Sequence, residues 1–566
     1  MNPAQTNAAP PPRSYPGVRP TGASTLAVVI AGVLALPVLV VLSNVFLPSE
    51  GTWPHLASTV LPEYISNSLL LMLGVACGVV IGGVSTAWLT VMCRFPGHKV
   101  FEWALLLPMA VPAYVMAYAY TDLLQFSGPV QSWIRELSGW GPREYWFPDV
   151  RSLGGAVVML SFVLYPYVYL LARSAFLEQS DSMLEVARAC GYGAWGTFMR
   201  VALPLARPAI VAGTALALME TLADFGTVAY FGVPTFTTGI FRAWFSLGDH
   251  VAAAQLSAVL LTFVFLLLFI ERVTRAHATF HDPSHRRRLR NVYQLSGFRA
   301  AVAVSFCVAP LVLGFLLPAG ILLNLALEGG DAQFGVRYIQ LTLNTVSLGA
   351  VTALLAVTLA LLVAYAARST PSRLVRGAAR FAGLGYAVPG AVIAVGVLIP
   401  ITRLDHVLAA WIHAATGVSP GLILTGSIAA LVYAYLVRFF AASLQAMEAG
   451  LTRITPSMDS AARSLGLGAG GTLARVHAPL LWRSALSAAL LVLVDVMKEL
   501  PATFVMRPFN FDTLAVQAYN LASDERLAEA ATPALTIVAV GLVPLVVLSR
   551  MMLRREPTGA HARRRR

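Results

Sequence analysis

Long apolar stretches alternate with short polar ones along nearly the whole chain of 566 residues. An α-helix needs about 20 apolar residues to cross the hydrocarbon core of a bilayer. This pattern predicts an all-α polytopic membrane protein. Stretches of the required length predict twelve spans, near residues 25–47, 66–92, 100–124, 153–176, 208–230, 252–271, 300–326, 342–367, 379–400, 421–444, 483–505 and 531–553.

Composition agrees with this pattern: 57% of the residues are hydrophobic and 12% are charged, against about 25% charged in a soluble protein. Residues 1–23 are rich in Pro and Ala and predict a disordered tail. The apolar run at 25–47 is too long for a signal peptide and predicts an uncleaved first span. The four cysteines are scattered without a CxxC pair, and the histidines form no cluster, so we expect neither a metal site nor a catalytic constellation.

The positive charge is unevenly distributed along the predicted spans. With both termini placed in the cytoplasm, 31 of the 40 Lys and Arg residues fall on the cytoplasmic side, eight fall outside, and only Lys498 lies within a span. This is the positive-inside pattern of a multi-pass membrane protein. The runs Arg286–Arg288 and Arg563–Arg566 are interpreted as orientation signals that contact anionic lipid, not as a nucleic-acid site.

The sequence also repeats itself over half its length. Asn67 matches Asn344 at an offset of 277, and Glu220 matches Asp495 at an offset of 275. An even number of spans in each half gives both halves the same orientation, which is the parallel type of repeat. We therefore expect two six-helix domains, with a transport path between them. The expected division is a disordered cytoplasmic tail at 1–23, transmembrane domains at 24–272 and 300–555, a basic cytoplasmic linker at 273–299 and a basic cytoplasmic tail at 556–566.

The most similar repeated segments are polar and lie between spans. Residues 187–205 and 462–480 are identical at 11 of 19 positions, without a gap. Glycines in both copies favour a tight turn between two short helices, and Pro204 and Pro479 favour the first turn of the next helix. A single copy could be an amphipathic loop lying on the membrane surface. Two matched copies favour a docking element.

The first copy resembles the EAA motif of permease subunits in binding-protein-dependent ABC importers, through EVARACG at 185–191 followed by twelve residues and then Pro204. The second copy fits except that Ser460 stands where the family has Glu. In that family the motif forms a coupling helix that sits in a cleft of the ATP-hydrolysing subunit. The resemblance therefore implies an ATPase-coupling role for Glu185, Ala187, Gly191, Pro204, Ala461, Ala462, Gly466 and Pro479.

The chain has no GxxxxGK[ST] phosphate loop, and its only lysines are Lys99 and Lys498. We therefore expect a transporter subunit, not an enzyme, that binds no cofactor and works with two copies of a separate ATPase that uses ATP and Mg²⁺. A periplasmic substrate-binding protein is the other expected partner.

Five ionisable residues fall inside the spans that follow the two repeated segments. Each charge at the bilayer centre costs about 2.5–3.5 kcal/mol, so these side chains must face an internal surface or pair with one another. The four-residue spacing of each acid pair predicts a shared helix face, and Lys498 is predicted to pair with Asp495. A substrate pathway and a structural ion-pair network both remain open for Glu220, Asp224, Asp495, Lys498 and Glu499.

Two stretches, ETLADFGT at 220–227 and KELPAT at 498–503 with FDTLA at 511–515, resemble the fused ferric-iron permeases of bacterial inner membranes. This resemblance implies import of Fe³⁺ delivered by a periplasmic protein, and carboxylates suit a hard cation. Related permeases for thiamine, phosphonate or polyamines share parts of the pattern. An ion-coupled secondary transporter is the alternative from another class.

Overall fold

The computed structural model describes residues 22–48, 52–141, 144–179, 181–276, 293–329, 335–370 and 372–553. The predicted tails at 1–23 and 556–566 lie wholly or almost wholly outside these residues, as does the middle of the predicted linker. The helices before the linker are α1 (Gly22–Asn44), α2 (Thr52–Thr59), α3 (Leu61–Met92), α4 (His98–Ala104), α5 (Ala113–Leu124), α6 (Pro129–Ser138), α7 (Leu153–Glu178), α8 (Asp181–Ala189), α9 (Ala194–Thr197), α10 (Leu203–Ala223), α11 (Gly226–Tyr230), α12 (Phe236–Phe241) and α13 (His250–Ala276).

A similar order of elements follows the linker. These helices are α14 (Gly297–Leu311), α15 (Leu317–Gly329), α16 (Val336–Ser369), α17 (Arg373–Ala382), α18 (Gly390–Thr416), α19 (Ile428–Leu451), α20 (Pro456–Ser464), α21 (Ala469–Thr472), α22 (Ala478–Met497), α23 (Pro501–Met506), α24 (Leu514–Ser523) and α25 (Leu527–Leu553). Short 3₁₀ turns lie at Leu107–Ala110 and Gly385–Ala387, and π-helical turns at Phe198–Ala202, Arg242–Ser246, Val312–Leu316 and Leu473–His477.

Within the described residues, eleven helices are long and apolar enough to cross a membrane, and a bent pair brings the number to twelve. The bent pair is the predicted span 100–124, which turns by 89° between Ala110 and Ala113. The prediction of a span at 379–400 is shifted: the spanning helix is α18, and the residues before it form the separate short helix α17. Pro389 explains the shift because it sits at the N-cap of α18, where its missing N–H costs no hydrogen bond.

Equivalent caps show that the repeat in sequence is also a repeat in local structure. Ser152 begins α7 by accepting a hydrogen bond from the backbone N–H of Gly155 at 3.1 Å. Ser427, 275 residues later, begins α19 by accepting one from Ala430 at 3.2 Å. Serine favours this position because its side chain satisfies an N–H that the helix itself leaves free. The parallel orientation of the two halves in the membrane stays a prediction.

Each half is built around three helices in mutual contact: α3, α7 and α10 in the first, and α16, α19 and α22 in the second. Small residues allow the close approach in the first set. A β-carbon at Gly83 would lie 2.8 Å from the backbone nitrogen of Tyr169, and one at Gly213 would lie 2.8 Å from the Cα of Val168. Small residues are the usual means by which membrane helices pack closely.

The first helix of each half lies against the other half. Helix α1 contacts α16, α17 and α18, and the hydroxyl of Tyr433 in α19 donates to the carbonyl of Val33 in α1 at 2.5 Å. In the reverse direction, the hydroxyl of Tyr120 in α5 donates to the carbonyl of Leu313 between α14 and α15 at 2.6 Å. Strands β1 (Cys93–Arg94) and β2 (Tyr293–Gln294) form a short parallel pair that joins the end of the predicted linker to the first half.

Candidate functional site

The repeated polar segments form two helices around a glycine turn, as predicted. Helices α8 and α9 flank Gly191, whose φ is +84°, and α20 and α21 flank Gly466, whose φ is +82°. Other residues rarely adopt this backbone conformation. The residue after each glycine closes the turn with the same hydrogen bond, from Tyr192 N–H to the Ala187 carbonyl and from the equivalent Leu467 to Ala462. We call residues 181–205 and 456–480 the first and second coupling segments.

Each segment passes into its long helix without a break. A five-residue π-helical turn, Phe198–Ala202 or Leu473–His477, joins the short helix to α10 or α22. Pro204 and Pro479 occupy the first turn of α10 and α22, as predicted, but the helix through them is continuous with the preceding π turn. A movement of either coupling segment would therefore act directly on the helix that follows it.

The coupling segments combine buried alanines with exposed apolar side chains. Ala187 and Ala462 are buried, whereas Glu185, Ala461, Gly191 and Gly466 are exposed. Val186, Trp195 and Leu465 are 63%, 70% and 81% exposed. Each segment thus presents at least one large apolar side chain to its surroundings.

An ionic network holds the second coupling segment against α16. Arg368 donates to the carbonyls of Leu451 and Ile454 and, at 3.0 Å, to the carboxylate of Asp459 in α20. The other oxygen of Asp459 lies 2.6 Å from Nε2 of the buried His477. Burial raises the pKa of the Asp459 carboxyl, but hydrogen bonds from His477 and Arg368 lower it more, so the pKa lies below its usual value. Ser460, where the second copy departs from the family motif, thus directly follows Asp459, whose carboxylate binds Arg368 and the buried His477.

An aromatic cluster holds the first coupling segment instead. Trp88 in α3 packs on Phe198 in the π turn with ring centroids 4.8 Å apart and on Phe176 in α7 at 5.6 Å. The residues equivalent to Asp459 and His477 are Leu184 and Ala202, which cannot form the same ion pair.

The spans that carry the predicted intramembrane charges are both interrupted where the acids lie. Helix α10 ends at Ala223, and Asp224 accepts hydrogen bonds at 3.1 Å from the backbone N–H groups of Thr227 and Val228 in α11. Helix α22 ends at Met497, and Glu499 accepts one at 3.1 Å from Ala502 in α23. The prediction that 208–230 and 483–505 are continuous spans is therefore wrong, and so is the helix face predicted for each acid pair. A carboxylate at the start of a helix satisfies its free N–H groups and complements its dipole.

All five predicted residues line one cavity of about 120 Å³ between the two halves. Lys498 Nζ lies 2.9 Å from Asp495 Oδ1, which confirms the predicted pairing. Asp495 and Glu499 are nearly buried, whereas the side chain of Glu220 is 25% exposed. Pro112, Tyr114, Tyr167 and Tyr386 also line the cavity.

A sixth charged residue completes the cluster. Arg438 in α19 lies 3.0 Å from Glu499 through Nη1 and 3.7 Å from Glu220 through Nη2. The prediction that Lys498 is the only basic residue within a span is wrong, because Arg438 lies in the middle of α19. The acids thus line a cavity, and one of them, Glu220, forms an ion pair across the boundary between the halves.

No group of three or more His, Cys, Asp or Glu side chains in the described residues is arranged to hold a metal ion. Glu499, Asp495 and Asp224 in the cavity bind Arg438, Lys498 and backbone N–H groups, respectively. The described lining of the cavity accordingly mixes acids with bases and does not form a preformed coordination sphere.

Residues 74–278 match the family described as the inner membrane component of binding-protein-dependent transport systems. The molybdenum transport system permease protein ModB of Escherichia coli is 33% identical over 210 residues, which are 35% of this chain and 87% of that protein. The chain belongs to this family. It is a transport permease of the ABC importers, not an enzyme, and a multi-pass protein of the inner membrane, and its partners are a substrate-binding protein and an ATPase.

A relative that covers both halves is the Fe(3+)-transport system permease protein FbpB 2 of Haemophilus influenzae. It is 26% identical over 493 residues, which are 86% of the permease and 90% of that relative. The sulfate transport system permease protein CysT of Escherichia coli is 27% identical over 195 residues, 33% of the permease and 66% of CysT. The likeness to FbpB 2 over nearly the full length supports the resemblance to fused ferric-iron permeases.

The structure adds residues that the sequence did not single out. Arg438 could have been noticed as a charge within the predicted span 421–444. Tyr114, whose hydroxyl has no hydrogen-bond partner among the described residues, carried no signal that separates it from an interfacial tyrosine. Arg368 carried no distinguishing signal either, because it lies near the end of a span, where a basic residue usually sets membrane orientation.

Proposed function

We propose that this permease imports a cation, specifically ferric iron delivered by a periplasmic binding protein, into the cytoplasm. The observation that carries the proposal is the charge of the cavity between the halves. Four carboxylates line it against two basic side chains among the described residues, which leaves a formal excess of two negative charges. A surplus of negative charge in a low-dielectric site attracts cations and repels oxyanions such as molybdate or sulfate.

The relationship to FbpB 2 supports the choice of iron among cations, because that relative aligns with both halves of the chain. Carboxylates are hard ligands and suit a trivalent cation. In this proposal Glu220, Asp224, Asp495, Lys498 and Glu499 line the transit path, and the selectivity for iron is supplied mainly by the binding protein.

The coupling segments are proposed to bind two ATPase subunits, one at each segment. Glu185, Ala187, Gly191 and Pro204 would serve the first contact. In the second segment, Ser460 stands at the position of Glu185, and Ala461, Ala462, Gly466 and Pro479 would serve the second contact. This arrangement places both segments and both termini in the cytoplasm and the cavity on the path between the domains at 24–272 and 300–555. The continuous helix from each segment to an acid-bearing break supports the idea that ATPase movement reaches the cavity.

The proposal is tested in proteoliposomes that contain the permease, its ATPase and the binding protein. We expect ATP-dependent uptake of ⁵⁵Fe³⁺ and none of molybdate, with two ATPases per permease in the purified complex. Uptake of thiamine or a polyamine in place of iron would support the proposal of a cation path and reject iron as the cargo. Uptake that continues without the ATPase and stops when a proton gradient is collapsed would instead indicate a secondary transporter.

A further inference from the structure

The two halves contribute different charges to the cavity. Acids occupy equivalent positions in both halves, with Glu220 matched by Asp495 and Asp224 matched by Glu499. The bases do not repeat: Lys498 and Arg438 correspond to Ala223 and Val163 in the first half. Among the described residues of the cavity, both cations therefore belong to the second half.

The acids of the second half are neutralised within that half. Asp495 pairs with Lys498 at 2.9 Å, and Glu499 pairs with Arg438 at 3.0 Å. In the first half, Asp224 is bound by the hydroxyl of Thr227 at 3.0 Å and by backbone N–H groups. The ion pair that the structure gives Glu220 comes from across the boundary, from Arg438.

The two arms of Arg438 are unequal. Its Nη1 is close to both oxygens of Glu499 and forms a hydrogen bond of 3.1 Å with one of them. Its Nη2 is 3.7 Å from Glu220, which is within ion-pair range but beyond a hydrogen bond. The arm that crosses to the first half is therefore the weaker one, and Glu220 is also the more exposed of the two acids.

Gly390 leaves space for the pair of Arg438 and Glu499, and the first half has no glycine at the equivalent position. A β-carbon at Gly390 would collide with Oε1 of Glu499 and lie 2.6 Å from Nη1 of Arg438. The residue equivalent to Gly390 in the first half is Ala113, where the equivalent of Arg438 is a valine. The glycine thus accompanies the arginine, which indicates a built site and not a chance approach of two side chains.

We propose that Arg438 is an internal competitor of the transported cation. Without cargo, its guanidinium bridges Glu220 and Glu499 and holds the two halves together across the cavity. A cargo cation binds Glu220 and displaces Nη2 of Arg438 from it, while Arg438 remains paired with Glu499. An anion is repelled by Glu220 and cannot displace Arg438 from it. Arg438 therefore contributes to selecting the sign of the cargo charge. This inference rests on the proposed function only in taking the cargo to be a cation.

The test uses the whole complex in proteoliposomes and measures ATP hydrolysis with no binding protein, with Fe³⁺-free binding protein and with Fe³⁺-loaded binding protein. In Arg438→Gln we expect basal hydrolysis to rise at least threefold. The ratio of the rates with loaded and Fe³⁺-free binding protein should fall toward one. Arg438→Lys should act in the same direction, because a single ammonium cannot span both acids. Glu220→Gln should raise basal hydrolysis similarly, and combining it with Arg438→Gln should add little.

The matched control is Arg173→Gln, which breaks a pair of 3.0 Å between Arg173 and Glu102 inside the first half. This variant should keep the wild-type basal rate. Wild-type basal rates and ratios in both Arg438 variants would overturn the inference. If neither variant assembles, Glu220→Gln decides, and an unchanged basal rate there would overturn it. A wild-type complex that does not respond to Fe³⁺-loaded binding protein would reject iron as cargo, while the basal rates would still report on the bridge.

Discussion

The two coupling segments have the same backbone but are held by different chemistry. Both turn at a glycine with positive φ and enter a long helix through a π-helical turn. The first is held by the packing of Trp88 on Phe198, and the second by Arg368 and His477 around Asp459. The comparison teaches that the backbone shape of a coupling element can be kept while the forces that anchor it change.

Removal of the aromatic anchor is expected to have the largest effect. Trp88→Ala should destabilise the packing of the first coupling segment by about 3 kcal/mol, the low end for a buried aromatic because Trp88 is partly exposed. Hydrogen exchange should then speed up roughly 100-fold in residues 181–205 and remain unchanged in 456–480. Trp411→Ala, at a position that is 70% exposed, is the control. Equal acceleration in both segments would contradict separate anchoring.

Removal of the ionic anchor should accelerate hydrogen exchange in the second coupling segment and not in the first, and by a smaller factor. Arg368→Gln leaves Asp459 with one fewer cation and weakens two hydrogen bonds to backbone carbonyls, a loss of about 2 kcal/mol for partly exposed groups. Exchange in 456–480 should accelerate more than tenfold, with 181–205 unaffected. Arg463→Gln, an exposed arginine on the same helix as Asp459, should change neither segment.

The shared backbone predicts an equal response to one kind of change. Gly191→Val and Gly466→Val force a β-branched residue to a φ above +80°, at about 1–2 kcal/mol each. No atom lies within 4 Å of a β-carbon at either glycine, so the effect is backbone strain and not collision. Both variants should insert in the membrane yet lose ATP-driven uptake. Wild-type uptake in both would remove the coupling role proposed for the turn.

Acid should loosen only the second coupling segment, with the smallest effect of the four. The pKa of Asp459 is lowered in the folded protein, so its stabilising effect is complete above the unfolded pKa of about 3.9 and is lost as the pH falls through the lower folded pKa. Below about pH 4 we expect exchange in 456–480, corrected for the intrinsic rate, to accelerate a few-fold. Asp459→Asn should abolish this dependence, and a matching change in 181–205 would speak against the ionic anchor as its cause.

Features that depend on local sequence were predictable. The glycine turns, the proline positions and the pairing of Lys498 with Asp495 all follow from short-range spacing, and the structure confirms them. The breaks at Asp224 and Glu499 were missed because the apolar runs continue across them, and hydropathy does not register where a helix ends inside the membrane. Arg438 could be noticed in the sequence as a charge within a predicted span, but it lies far from Glu220 and Glu499 along the chain, so its pairing with them could be found only from the packing of α19.

The position of α1 against the second half has a consequence for how the protein is made. Helix α1 contacts α16, α17 and α18, and α18 ends at Thr416, more than 350 positions downstream of the end of α1. At about 5–20 residues per second of synthesis, α1 must wait roughly 20–70 s before its final neighbours emerge. Completion of the first half is therefore tied to translation of the second, and an interrupted chain would leave α1 with α13 but without its partners from the second half.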